Sequence, residues 1–223
     1  MAHDRQEKIN GILNSTVKTL AQKGYEQATI ADISKIANVA RGALHYYFKD
    51  KEDLVTKALA NSTASMVQSS LAGLKGESQE EIVDNVINVH KNNISKNSDF
   101  FSFLYEMWCA SRRSKKIKRE FMNCQDKVIA AIKEWLENAA RQGIIKINVA
   151  ESEALARALL GITDGMAFEL IDHPEKMNDK NTWVPFKKMI LAVLKDQDND
   201  YHQVIFCKCY PITYNMVSNW IQA

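Results

Sequence analysis

An all-α fold is predicted by three features of the sequence. Glycine and proline are scarce, eight and three in 223 residues. Turns are therefore few, which favours long helices over many short strands. Apolar residues recur at helical spacing along most of the chain. Residues suited to capping precede several of these runs, and glycines follow two of them. The expected organisation is a helix-turn-helix domain over residues 1–50, a helix linking onward from 51, a larger helical domain over 51–196, and a C-terminal extension over 197–223.

The elements follow in order. Ile9, Leu13, Thr16, Val17 and Leu20 form one stripe, opened by a capping box of Asp4 and Glu7 and stopped by Gly24. Thr29 and Asp32 form a second box that starts a helix ending near Ala37. Asn38 and Val39 make a turn, and a helix over 41–48 follows. Asp50 and Asp53 cap a fourth helix, with Leu54, Ala58 and Leu59 on its inner face. The polar stretch GLKGESQE at 73–80 is a loop. Ile82, Val86, Val89 and His90 mark the next stripe, and residues 98–112 are rich in aromatics. A long amphipathic segment with Ile117, Phe121, Val128, Ile132 and Trp135 inside runs to about Gln142 and stops at Gly143. Helices over about 151–172 and 184–196 complete the pattern. Beyond Asp196 periodicity is poor and Pro211 interrupts it.

Composition narrows the class. The hydrophobic fraction is 46%, enough for a sizeable core. The net charge is +2, so any surface for nucleic acid must be a local patch. Cys109 and Cys124 are widely spaced, and Cys207 with Cys209 forms a C-x-C without a second pair, so a zinc site is not expected. MAHDRQEKIN lacks the apolar stretch of a secretory signal. No apolar run approaches the roughly 18 residues that a membrane-spanning helix needs. A reduced, cytoplasmic protein is the expectation.

Residues 29–54 carry the most specific signal. Ile30, Ile33, Ile36 and Ala37 face inward on the first helix of the pair, Val39 packs in the turn, and Leu44 and Phe48 anchor the second helix. This is the arrangement that places a helix in the DNA major groove. Gly42 and Ala43 are small enough for close approach to base edges. Arg41 can reach guanine O6 and N7. Thr29, Tyr47 and Lys51 suit phosphate contacts, which set register without reading sequence. Tyr46 reads as a packing residue.

At this point residues 5–59 resemble the DNA-binding domain of the TetR family of bacterial transcriptional regulators. The resemblance rests on Gly24-Tyr25, Thr29, Ile33, Ala37, Arg41-Gly42-Ala43-Leu44 and the run from Tyr47 to Leu54. It implies that Thr29, Arg41, Gly42, Ala43, His45, Tyr47 and Lys51 touch DNA. Two departures stand out. Ala40 occupies a position where a capping Ser or Thr is common, and His45 one where Tyr is usual. The resemblance also implies a homodimer on double-stranded, palindromic operator DNA, with the last two core helices forming a four-helix interface.

The later helices offer candidates for pairing and sensing. Ala154, Ala158, Gly161 and Gly165 form a small-residue stripe suited to close helix approach, with Phe186, Met189, Ile190 and Val193 as its match on the next helix. Phe101, Leu104, Tyr105 and Trp108 share a face that can line a small-molecule pocket, and His90, Asn93, Asp164 and Glu169 can supply polar groups. The basic run at 111–120 reads as a solvated loop and helix start.

No Gly-rich phosphate loop, nucleophile elbow or HExxH motif occurs, and His3, His45, His90, His173 and His202 have no metal spacing. No enzyme, cofactor or metal is expected. The leading expectation is a DNA-binding regulator, a repressor released by a small-molecule inducer. A DNA-associated structural or adaptor protein on the same fold is the alternative.

Overall fold

The computed structural model describes residues 2–194. The extension expected at 197–223, with Cys207, Cys209 and His202, lies outside the described residues. Among the described residues nine α-helices and two short 3-10 turns form the fold. The helices are α1 (Ala2–Gln27), α2 (Ile30–Ile36), α3 (Arg41–Tyr47), α4 (Lys51–Gly73), α5 (Gln79–Lys96), α6 (Ser98–Ser111), α7 (Lys115–Arg141), α8 (Ser152–Asp172) and α9 (Lys180–Val193). None of the described helices is long and apolar enough to cross a membrane.

Most boundaries follow from capping chemistry. The Thr29 hydroxyl accepts from the Asp32 amide while the Asp32 carboxylate accepts from the Thr29 amide, so the box predicted for α2 is complete. Asp50 accepts from the Asp53 amide at the start of α4, and Ser78 and Ser114 do the same work for α5 and α7. At the end of α2 the Val39 amide bonds the Ser34 carbonyl and the Asn38 amide bonds Lys35, with Asn38 at φ 52°. This is a Schellman closure, and asparagine tolerates its left-handed residue better than most side chains. Gly143 closes α7 by the same pattern at φ 72°.

Two boundaries differ from expectation. α1 begins ahead of Asp4, which sits within the first turn rather than at the cap. α9 begins at Lys180, capped by Asp179, so Pro185 lies inside the helix and withholds one backbone donor. Gly24 does break α1: at φ 74° and ψ 162° it leaves the helical conformation, and one further turn carries the chain to Gln27.

Two apolar cores organise these helices. The first gathers Ile12 and Leu20 of α1, Ile33 of α2, Leu44 of α3 and Leu54 and Leu59 of α4. It is completed from below by Phe103 and Met107 of α6 and Ile117 of α7, all fully buried. The boundary expected at residue 50 thus precedes residues of α4 that belong to the same core. The second core holds α5 to α9, with Phe101, Leu136, Ala156, Leu170, Trp183 and Phe186 among its members. α4, α6 and α7 touch both cores and tie them together.

Candidate nucleic-acid interface and effector cavity

α3 stands on two anchors. Leu44 and Phe48 are 1% and 4% exposed, and they fix the helix against α1 and α4. Arg41, Gly42 and His45 are exposed, while Ala43 and Tyr47 are half-buried. Ala40 has the extended backbone of an N-cap but no side-chain bond, and its carbonyl accepts the Ala43 amide at 2.8 Å. The amides of the first turn therefore keep free donors next to the exposed Arg41. Nothing lies within 4 Å of where a Cβ on Gly42 would stand, so a surface can approach the backbone there.

The aromatic pair after this face is arranged differently from expectation. Tyr46 is 73% exposed rather than packed inside. Its ring meets Tyr47 edge to face at 5.0 Å, and the Arg5 guanidinium of α1 lies 5.9 Å from one ring centre and 5.8 Å from the other. Arg5 thus holds both tyrosines from the side, and a helix-periodic stripe gave no sign of it.

Thr29 and Lys51, both candidates for phosphate contacts, have internal partners. The Thr29 hydroxyl donates to Asp32 at 2.7 Å, and Lys23 pairs with the same carboxylate. These bonds hold Asp32 far below the ordinary carboxylate range, Lys23 contributing most. The Lys51 ammonium donates to the Tyr25 carbonyl and sits 4.4 Å from the Tyr25 ring centre. Burial lowers its pKa.

The α1–α4 unit is fastened to α6 and α7 by polar bonds as well as by the shared core. The Tyr25 amide donates to Glu106 of α6 at 2.8 Å. Ser114, the cap of α7, donates to Glu52 in the first turn of α4 at 2.7 Å. Arg113 pairs with Glu26 and Lys116 with Asp50. The basic run at 111–120, expected to be solvated, therefore contributes two cations that reach the helix-turn-helix unit.

A cavity of about 200 Å³ opens between α4, α5, α6, α7, α8 and α9. Its walls are almost wholly apolar, with Met66, Leu71, Phe100, Phe101, Phe121, Ile132, Trp135 and Leu159 among them. Four residues expected at a pocket line it: His90, Phe101, Leu104 and Asp164, and Asn93 joins them. Three do not. Trp108 is 53% exposed: it shares the helix face of Phe101 and Leu104 but lies one turn beyond the part of α6 that lines the cavity. Tyr105 lies outside the lining and donates from its hydroxyl to the Asp164 carbonyl at 2.8 Å, and Glu169 is exposed on α8. α4 and α7 supply much of the wall. The apolar stripe of α7 was legible, but nothing in sequence showed that it faced a void rather than filled core.

His90 is the least ordinary group here. It is 8% exposed, its ring stacks on Phe186 at 5.8 Å, and it meets Phe101 and Trp183 edge on. Burial lowers its pKa to about 4, against the backbone of Thr163, which favours the charged ring. Burial also raises Asp164, to about 6, and Cys124, to about 11.

Comparison with known proteins agrees with this geometry. The profile described as "Bacterial regulatory proteins, tetR family" matches residues 12–58, the segment from mid-α1 into α4. Residues 12–58 thus match the DNA-binding domain of the TetR family. The fatty acid metabolism regulator protein of Bacillus subtilis (strain 168) is 30% identical over 64 residues, 29% of this chain and 33% of that protein. The chain spans between a quarter and a third of the length of the curated relatives it matches first. Two solved structures share the fold over much more of the chain. Salmonella enterica GusR has a TM-score of 0.72 at 19% identity, covering 84% of this chain and 95% of that one. The regulator FadR from Bacillus subtilis, solved in complex with stearoyl-CoA, has a TM-score of 0.65 at 16% identity, covering 83% and 97%.

The chain exposes part of the surface expected to pair two copies. Ala154, Ala158, Gly161 and Gly165 all face outward on α8, and the exposed Phe168 extends their stripe. Met189 on α9 is 45% exposed and Val193 is half-buried. Phe186 and Ile190 are a correction: both are fully buried inside the subunit, Phe186 against His90 and Ile190 in the cavity wall. α9 has two apolar faces. Its outward side carries Val184 and Met189, a register that periodicity alone did not resolve.

Proposed function

We propose that this protein is a DNA-binding transcriptional regulator of the cytoplasm, a repressor released from a palindromic operator when a small molecule fills the cavity. The observation that carries the reading is α3: a buried pair, Leu44 and Phe48, holds out a face of Arg41, Gly42, Ala43 and His45. Arg41 and the small residues beside it read base edges. Thr29, Tyr47 and Lys51 contact phosphates, Lys51 by redirecting donors that now serve Tyr25. A helix-turn-helix reads too few bases alone, so two copies pair through the α8–α9 face and reach half-sites about 34–36 Å apart or a multiple of that.

The cavity supplies the control. α4 lines it with Thr63, Met66 and Ser70 and carries Leu54 and Leu59 in the core beneath α2 and α3. A ligand that favours one position of α4, α6 and α7 therefore favours one separation of the two α3 helices. DNA affinity falls in proportion to its preference for the non-binding state. That FadR holds an acyl-CoA supports an apolar effector for the same fold.

The test is an anisotropy titration of the full chain against its own upstream DNA and against scrambled DNA of equal length. Preference for the upstream DNA supports the reading. Equal affinity for the two at physiological salt, where backbone contacts alone remain, contradicts it.

A further inference from the structure

We propose that the His90–Asp164 end of this cavity takes a protonated primary or secondary amine carried on an apolar body. The proposal deepens, and rests on, the reading of the cavity as the effector site.

The ring of His90 is fixed by three aromatic side chains. Its polar partner is the Thr163 backbone, which accepts from one ring nitrogen. The other, Nε2, is buried without any partner. With the hydrogen on the first nitrogen, Nε2 is an acceptor. Asp164, the residue after Thr163 on α8, lines the same cavity. Tyr105 bonds its backbone carbonyl, and no described side chain donates to its carboxyl group. Neither a lysine nor an arginine lines the cavity. Asn93 already donates to Ser70, and the Thr163 hydroxyl to carbonyls of its own helix.

Two acceptors, one of them anionic when ionised, therefore line this largely apolar cavity with no described side chain donating to either, although the orphaned Thr63 hydroxyl of α4 and the Gln125 amide of α7 line it as well. Buried acceptors left unmade are costly, so the occupant must bring the donors. A carboxylate or phosphate would add a third acceptor and a like charge. An alcohol can satisfy one acceptor and leaves the carboxylate uncompensated. An N–H-bearing cation donates to both and neutralises Asp164, and its apolar body packs on Phe101, Leu104 and Trp135. The other titratable groups of the lining are His90 from α5 and Cys124 from α7, and Tyr105 from α6 lies beside Asp164 outside it. α4 and α9 contribute none to the lining. At neutral pH the imidazole is neutral and the carboxyl mostly ionised, the state this occupant needs.

The experiment is calorimetric titration of the full chain with decylamine, decanol, decanoate and decyltrimethylammonium, each below micelle formation. Decylamine is expected to bind at least about tenfold tighter than decanol, with decanoate weakest. The quaternary analogue, which lacks an N–H for His90, falls below decylamine. Asp164→Asn brings decylamine to within about twofold of decanol. Independently of any variant, lowering the pH to about 5 weakens decylamine and leaves decanol unchanged, because Asp164 becomes neutral. Decanoate binding as tightly as decylamine, an unchanged amine affinity in Asp164→Asn, or binding of none of the four overturns the amine assignment. Tight decanol or decanoate binding that releases DNA would do so while leaving the cavity as the effector site. Amine binding without any effect on DNA affinity supports the amine site and counts against the effector reading.

Discussion

The Glu106 carboxylate accepts the Tyr25 amide at 2.8 Å, across 81 residues of sequence. The bond joins the last turn of α1, next to the helix-turn-helix, to the middle of α6, a wall of the cavity. It exists because Gly24 turns the chain at φ 74° and leaves the Tyr25 amide without a helical partner. Removing the acceptor by Glu106→Ala is expected to destabilise the fold by about 1–3 kcal/mol, the range for a part-buried amide losing a charged partner. Urea denaturation measures it. Arg113→Ala, which breaks an exposed pair with Glu26, should cost less than about 1 kcal/mol.

Gly24 itself has two reasons to be glycine. An L side chain at φ 74° is strained by about 1–2 kcal/mol. Its Cβ would also stand 3.2 Å from a Glu106 carboxylate oxygen. Gly24→Ala is therefore expected to lower stability by at least the backbone cost, whereas Gly42→Ala, with open space around it, should leave stability nearly unchanged. Gly42→Ala should instead weaken DNA binding, which separates the two glycines in one pair of assays.

Phe186 is the central ring of the second core, fully buried and stacked on His90. Phe186→Ala is expected to cost about 3–5 kcal/mol by transfer and cavity terms. Met189→Ala, one turn on and 45% exposed, should leave the monomer fold intact and weaken self-association, as read by sedimentation equilibrium.

The two titratable groups of the cavity have opposite linkage. Asp164 is raised to about 6, so between about pH 4 and 6 the native state holds a proton that the unfolded chain has lost, and its contribution falls as pH rises. His90 is lowered to about 4, so between about pH 4 and 6.5 the unfolded chain holds the extra proton, and its contribution rises with pH. Each spans roughly 3 kcal/mol, and they largely cancel in the wild type. Asp164→Asn should therefore gain on the wild type as pH rises from about 4 to 6. His90→Phe should gain on it as pH falls from about 6.5 to 4. Urea midpoints across that range give both slopes.

The helix-turn-helix was legible because its determinants are local. Thr29 and Asp32 cap, Asn38 turns, and Leu44 and Phe48 lie four apart, so short-range chemistry determines the motif. The cavity was half legible. Periodicity placed Phe101 and Leu104 on one face with Trp108, but it could not show that this face ends before Trp108. Phe186 and Ile190 failed for a related reason: α9 is apolar on two sides, and sequence spacing does not say which side meets the same subunit. The ties from Glu106, Ser114, Arg113 and Lys116 were invisible because each joins residues more than 60 positions apart.

The central claim is that the exposed face of α3 reads sequence. Its most direct test is the affinity of the wild type and Arg41→Ala for the upstream operator and for scrambled DNA, measured by anisotropy at one salt concentration. Losing a guanine contact worth about 1–3 kcal/mol should weaken operator binding by roughly tenfold or more and leave scrambled DNA much less affected. Equal operator affinity for the two proteins would contradict the role given to Arg41 and, with it, the assignment of α3 as the reading helix.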